Sequence, residues 1–109
     1  MVHAYLGEFE QLVLLALLRL GENAYGVTIR QEIERRTGRE VTLGAIYKTL
    51  ARLEGKGYIA STIGEPTPER GGRRKRFYQL EPLGSRALEH SFAALRRMTR
   101  GLGKELEAL

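Results

Sequence analysis

Five basic side chains fall within seven residues of this chain, Arg70, Arg73, Arg74, Lys75 and Arg76, with no acid among them. A cluster of this kind suits phosphate oxygens, because each cation that meets a polyanion releases condensed counterions. It follows a Gly/Pro-rich tip and leads directly into a strand-like run, Arg76 to Leu80, so it reads as the basic hairpin of a winged helix. The segment Thr42 to Lys56 is its counterpart, a helix for a DNA groove beside a wing for phosphates.

In that segment Leu43, Ile46, Leu50 and Leu53 recur at spacings of three, four and three, a stripe that faces a core. Opposite it we assign Ala45, Lys48, Thr49, Arg52 and Lys56, small, hydroxyl and basic groups without an acid. Thr42 is the expected N-cap, and Gly44 and Ala45 let the helix N-terminus come close to a duplex, where its dipole also favours phosphate. Base reading is expected from Thr42, Ala45, Lys48, Thr49 and Arg52, and phosphate contact from Arg70, Arg73, Arg74, Lys75 and Arg76. The competing account of the helix face is an ordinary solvated surface with chance basic residues.

Other chemistries find little support. With 109 residues the chain is one small domain, and 18 basic against 13 acidic residues leave a formal charge of +5, which favours a polyanionic partner. There is no Cys and no Asp, and the two His, His3 and His90, lie far apart, so neither metal nor cofactor is expected. No nucleophile–base pattern or phosphate loop appears, and an enzyme is not expected. The longest apolar run, Leu12 to Leu18, is far shorter than the ~20 residues of a membrane helix, so neither export nor insertion is expected and a reducing cytoplasm fits.

The elements that must hold these residues can be read in outline. Phe9 to Leu20 is apolar on nearly every face and stops at Gly21, a buried first helix. A second, amphipathic helix carries Val27, Ile29 and Ile33 and stops at Gly38. Tyr25, at its entry, either packs on a neighbouring helix or stacks on a ligand. Gly57 to Ile63 and Arg76 to Leu80 are the two strands, and the loop between them is expected to touch phosphates rather than read bases. From Pro82 to the C-terminus, Leu88, Phe92, Leu95, Thr99, Leu102, Leu106 and Leu109 alternate by four and three, a heptad seam for a homodimer, with helix packing inside one chain as the alternative. The fold class is therefore mainly α with a β wing: residues 1–81 form the winged helix-turn-helix part and residues 82–109 the dimerisation helix.

The chain resembles the PadR family of winged helix-turn-helix transcriptional regulators. The likeness runs through Ala24 to Ile29, Val41 to Glu54, Gly57 to Ile59, and Gly72 to Leu80 with Gly84, and its specific part is Gly44, Tyr47, Leu50, Leu53, Glu54 and Gly57 at their fixed spacing. The resemblance implies a dimeric cytoplasmic repressor and gives Tyr47, Lys48 and Arg52 DNA roles by matching position; Tyr47 either offers its hydroxyl to a phosphate or packs. Leu43 and Lys48 stand where the family often has prolines, and Glu81 to Gly84 replaces a Thr-containing turn. Some short members hold flat aromatic compounds between Trp residues, and this chain has no Trp, although Tyr5, Phe9 or Phe92 can line an apolar pocket. The expected function is a homodimeric, sequence-specific DNA-binding repressor on a pseudo-palindromic operator, with an effector the sequence does not name. The rivals are a winged-helix protein-interaction module and a small-molecule sensor.

Overall fold

Helix α1 (Glu8–Leu20) begins where the Glu10 carboxylate reaches back to accept the Gly7 N–H at 2.9 Å, and it ends where Gly21 takes φ 57° and returns its N–H to the Leu17 carbonyl. A computed structural model of the chain describes residues 5–65 and 74–109. After a short 3₁₀ turn at Gly21–Asn23, α2 (Gly26–Thr37) starts on Thr28, whose hydroxyl accepts the Tyr25 N–H at 3.0 Å. It stops at Gly38, left-handed at φ 74°. Helix α3 (Leu43–Gly55) has the expected cap, Thr42 Oγ1 accepting the Ala45 N–H at 3.1 Å.

The wing consists of β1 (Ile59–Ile63) and β2 (Arg76–Leu80), antiparallel with Ile59 opposite Leu80 and Ile63 opposite Arg76. Its inner edge is continued by a bridge between Tyr25 and Phe77, and the Tyr78 N–H donates to the Ala24 carbonyl at 2.9 Å, which fastens the wing to the entry of α2. Helix α1 is the centre of the packing, touching α2, α3, β2 and α4. Val13 and Leu14 of α1, Ile29 of α2, and Ile46, Leu50 and Leu53 of α3 are fully buried together. Each such side chain stabilises the fold by about 1.5–3 kcal/mol relative to leaving it exposed.

Helix α4 (Pro82–Thr99) starts with Pro at its first position and passes tightly over Tyr58, in the link between α3 and β1. A β-carbon at Gly84 would lie 2.1 Å from the Tyr58 carbonyl oxygen, so only glycine permits this approach. The chain before α1 is pinned to α4 by the Leu6 N–H on Ser91 Oγ at 2.9 Å and by the Tyr5 ring stacked on His90 at 4.7 Å.

The structure corrects the reading of the C-terminal segment as one continuous helix. Helix α4 ends at Thr99; Gly101 takes φ 82°, and a separate short helix, α5 (Gly103–Glu107), follows. Two glycines within three residues weaken a helix by about 1 kcal/mol each, and here one of them takes a left-handed φ that interrupts the helix. The seven-residue seam is therefore not collinear. Its first member, Leu88, is buried in the chain's own core, whereas Phe92, Leu95, Thr99, Leu102, Leu106 and Leu109 are exposed. The Thr99 hydroxyl donates to the Arg96 carbonyl of its own helix at 3.0 Å.

Candidate nucleic-acid interface

Ile46, Leu50 and Leu53 turn one side of α3 inward and leave Gly44, Tyr47, Lys48, Ala51, Arg52, Glu54 and Gly55, with the C-cap Lys56, exposed, Glu54 at the edge beside Tyr47. Three of these are Gly or Ala, so the middle of the face is low and its rim carries the long side chains. Thr49 does not belong to it. At about 100° per residue it falls in the sector of Ile46, Leu50 and Leu53, and it is only 3% exposed, which removes it from the expected base readers. Ala45 is half-buried, and Thr42 is exposed but spends its hydroxyl on the cap. Ala51 and Gly55, overlooked in the sequence, sit opposite the buried stripe, a position the same helical geometry could have disclosed.

Tyr47 is half-exposed because α2 supports it from beneath. A β-carbon on Gly26 would sit 2.3 Å from the Tyr47 hydroxyl oxygen, so the ring rests on bare backbone at the start of α2. Next to it, Lys48 is exposed with no carboxylate at ion-pair distance among the described residues.

Arg52 and Lys56 differ from Lys48. Arg52 Nε lies 3.2 Å and Lys56 Nζ 3.3 Å from the same oxygen of Glu10, a nearly buried residue of α1. Burial disfavours ionisation of Glu10, but the Gly7 N–H, the Arg52 and Lys56 hydrogen bonds and the Lys56 charge outweigh it and hold its carboxyl below the usual range. The face read as free of acids thus receives one from another helix.

At the base of the wing, Lys75 Nζ lies 4.5 Å from the centre of the Tyr25 ring and 3.4 Å from its hydroxyl, and Tyr25 meets Phe77 edge-on at 5.5 Å. Tyr25 is thereby a packing residue that also carries a cation on its ring. Arg76 donates to Ser61 Oγ at 3.0 Å, and Ser61 donates to Glu54 of α3 at 2.7 Å, a chain that ties the wing to the end of the helix. Arg74 is exposed; Arg70 and Arg73 lie outside the described residues. Lys48, Arg52, Lys56, Arg74, Lys75 and Arg76 all reach solvent from these two elements.

No group of three or more His, Cys, Asp or Glu among the described residues is arranged to hold a metal ion, and no described helix is long and apolar enough to cross a membrane. A groove of about 500 Å³ runs between α1 and β2, lined by residues that include Leu17, Leu18, Phe77 and Tyr78. Tyr5, Phe9 and Phe92 take no part in it.

A three-helix core with its third helix exposed and a two-stranded hairpin behind it defines a winged-helix protein. The sequence matches the Transcriptional regulator PadR-like family over residues 14–90, and the chain belongs to that family. It is a transcriptional regulator and not an enzyme. Among solved structures it is similar to a transcriptional regulator from Clostridium thermocellum, with a TM-score of 0.70 and 26% identity over 87% of this chain and 89% of that one. A PadR family regulator from Clostridium difficile matches with a TM-score of 0.68 and 27% identity, covering 92% of this chain and 99% of the other. The fold is also that of Bacillus subtilis PadR, solved in complex with operator DNA, with a TM-score of 0.61 and 24% identity over 78% of this chain and 48% of that one. No curated protein sequence matches at a significant level.

Proposed function

We propose that this chain is a DNA-binding transcriptional repressor that acts in the cytoplasm as a homodimer on a pseudo-palindromic operator. The observation that carries the reading is the outward face of α3, where Gly44, Ala51 and Gly55 keep the helix slim while Tyr47, Lys48 and Arg52 rise beside them. A helix of this profile enters a major groove without steric conflict. Lys48 and Arg52 reach base edges, with Thr42 and Ala45 near the duplex, while Tyr47 and Lys56 meet the backbone. Arg70, Arg73, Arg74, Lys75 and Arg76 grip flanking phosphates, which supply affinity more than sequence choice. Binding of operator DNA by the Bacillus subtilis protein of the same fold supports this assignment.

The homodimer rests on apolar surface that one chain leaves uncovered. Leu15 and Leu18 of α1 and Phe92, Leu95 and Met98 of α4 are 40–76% exposed. Covering the remaining half of each contributes about 1 kcal/mol, or roughly 10 kcal/mol over the ten side chains of two protomers. Association itself costs about 4–15 kcal/mol, so Leu106 of α5 and the flanking Leu102 and Leu109 are needed as well. Residues 82–109, joined by the outer side of α1, thus serve the dimer, and the rest of residues 1–81 the DNA. Two copies of α3 then address half-sites about one helical turn, ~34 Å, apart, and repression follows where the operator overlaps a promoter. An effector would act by changing that spacing.

Selection of bound sequences from random duplexes at about 150 mM salt, followed by a salt titration, tests the reading. Enrichment of a two-fold-symmetric site with a steep salt slope is expected. Uniform loss of binding with salt and no enriched site would leave only a generic polyanion surface.

A further inference from the structure

Glu10 is the nearly buried carboxylate at this face, and its two oxygens are divided between different tasks. One accepts the Gly7 N–H at 2.9 Å, and the other takes Arg52 Nε at 3.2 Å and Lys56 Nζ at 3.3 Å. Glu10 is 8% exposed and anchored in the first turn of α1, whereas the side chains of Arg52 and Lys56 are 51% and 44% exposed. The fixed partner is therefore the acid, and the cations are the groups it restrains. Because Glu10 holds Arg52 through Nε, the terminal guanidinium nitrogens stay open, and among the described residues no other acceptor takes them. An arginine fixed in this way keeps the planar fork needed for two parallel bonds to one base edge. The same carboxylate also cancels charge that would otherwise favour any phosphate.

We infer that Glu10, a residue of α1 and not of the DNA-facing helix, is a positioning residue that sets sequence specificity: it aims Arg52 and lowers the attraction of Arg52 and Lys56 for generic duplex. The inference rests on the DNA-binding reading above. Abandoning the pair in favour of a phosphate would leave a buried carboxylate poorly compensated. A contact that keeps the Nε–H bond, as a base-edge fork does, avoids that cost.

The test is Glu10→Gln in the full chain, because the amide oxygen still accepts the Gly7 N–H while the anionic partner of Arg52 and Lys56 is lost. Affinity for the selected operator and for random-sequence duplex is measured across a salt series, with Glu105→Gln on α5 as the control for net charge. The ratio of operator to random affinity is expected to fall about tenfold, the lower end of what one fork to a base edge discriminates. The salt slope on random duplex should steepen by about 0.9 for each cation that gains a phosphate. An unchanged ratio, or a fall equally produced by Glu105→Gln, overturns the role while leaving DNA binding intact. If the wild-type protein shows no preference for any duplex, the DNA reading fails and this role fails with it. Should Glu10→Gln not fold, the Arg52 Nε–H resonance of the wild-type protein decides instead: it should be protected from solvent exchange with and without operator, and rapid exchange in the free protein overturns the pairing.

Discussion

The Tyr47 ring occupies the space that a side chain on Gly26 would need: a β-carbon there would come within 2.3 Å of the tyrosine hydroxyl oxygen and 2.5 Å of the carbon that bears it. The start of α2 therefore sets where a residue of α3 meets solvent. The atoms in conflict are the far end of a half-exposed side chain, which can swing away. Gly26→Ala should fold with stability within about 1 kcal/mol of wild type, since alanine also suits the first turn of a helix. Its operator affinity should drop to that of Tyr47→Ala. Parallel thermal melts and binding isotherms check this, and an unchanged affinity would mean that Tyr47 only packs.

Gly84 presents the opposite case, because the atom in the way is the backbone carbonyl oxygen of Tyr58, 2.1 Å from a β-carbon, and that same oxygen accepts the Glu81 N–H at 2.9 Å. Neither partner can yield without parting α4 from the link between α3 and β1. Gly84→Ala should destabilise by about 1–3 kcal/mol or more, as overpacking does. At roughly 4–8 °C per kcal/mol for a small domain, the loss of Tm is readily measured by circular dichroism.

The helix face and the wing should separate in their response to salt. Arg73→Ala with Arg74→Ala is expected to weaken all duplexes alike and to lower the salt slope by about 1.8, two phosphate contacts at 0.9 each. Arg52→Ala should instead change the order of preference among operator variants. Equal slopes for wild type and the double variant would strike the wing from the contacts.

Leu95 is 55% exposed on α4, between Phe92 and Met98 on the surface proposed to pair two copies. Leu95→Glu would place a like charge against its symmetry mate in a two-fold interface. Sedimentation should show monomer at concentrations where wild type is dimeric, with far-ultraviolet circular dichroism unchanged. A dimer that survives the substitution would place the interface elsewhere.

Acid should reveal the Glu10 cluster. The carboxyl is held below its ordinary value of 4.5, so the unfolded chain binds more protons than the native one in that range. The stability this contributes is complete above about pH 4.5 and is lost as pH falls through the lower native value. Glu10→Gln should therefore lower Tm near neutral pH and flatten its decline in acid. A decline of unchanged steepness would assign the acid sensitivity to other groups, among them Glu32, whose carboxyl Arg36 and Arg35 likewise hold down.

What the sequence by itself determined is the set of features written within a turn or two of chain. Thr42 as a cap, the inward stripe Ile46, Leu50 and Leu53, the strand ending in Leu80 and the proline that opens α4 are all local, since helix and strand periodicity act between near neighbours. Arg52 and Glu10 are 42 residues apart, and nothing in the spacing of either helix announces that one restrains the other. The same holds for Gly26 under Tyr47 and for Ser61 between Arg76 and Glu54, contacts that exist only once α1, α2 and the wing have packed around α3. Thr49 is set opposite the stripe in the sequence reading, but its angular position beside Leu53 and Ile46 leaves it 3% exposed. The seam from Leu88 to Leu109 shows the limit from the other side: the repeat is present, but a positive φ at Gly101 breaks the helix, and the core had already taken Leu88. Periodicity states which side of an element is apolar; only the tertiary packing decides which neighbour covers it.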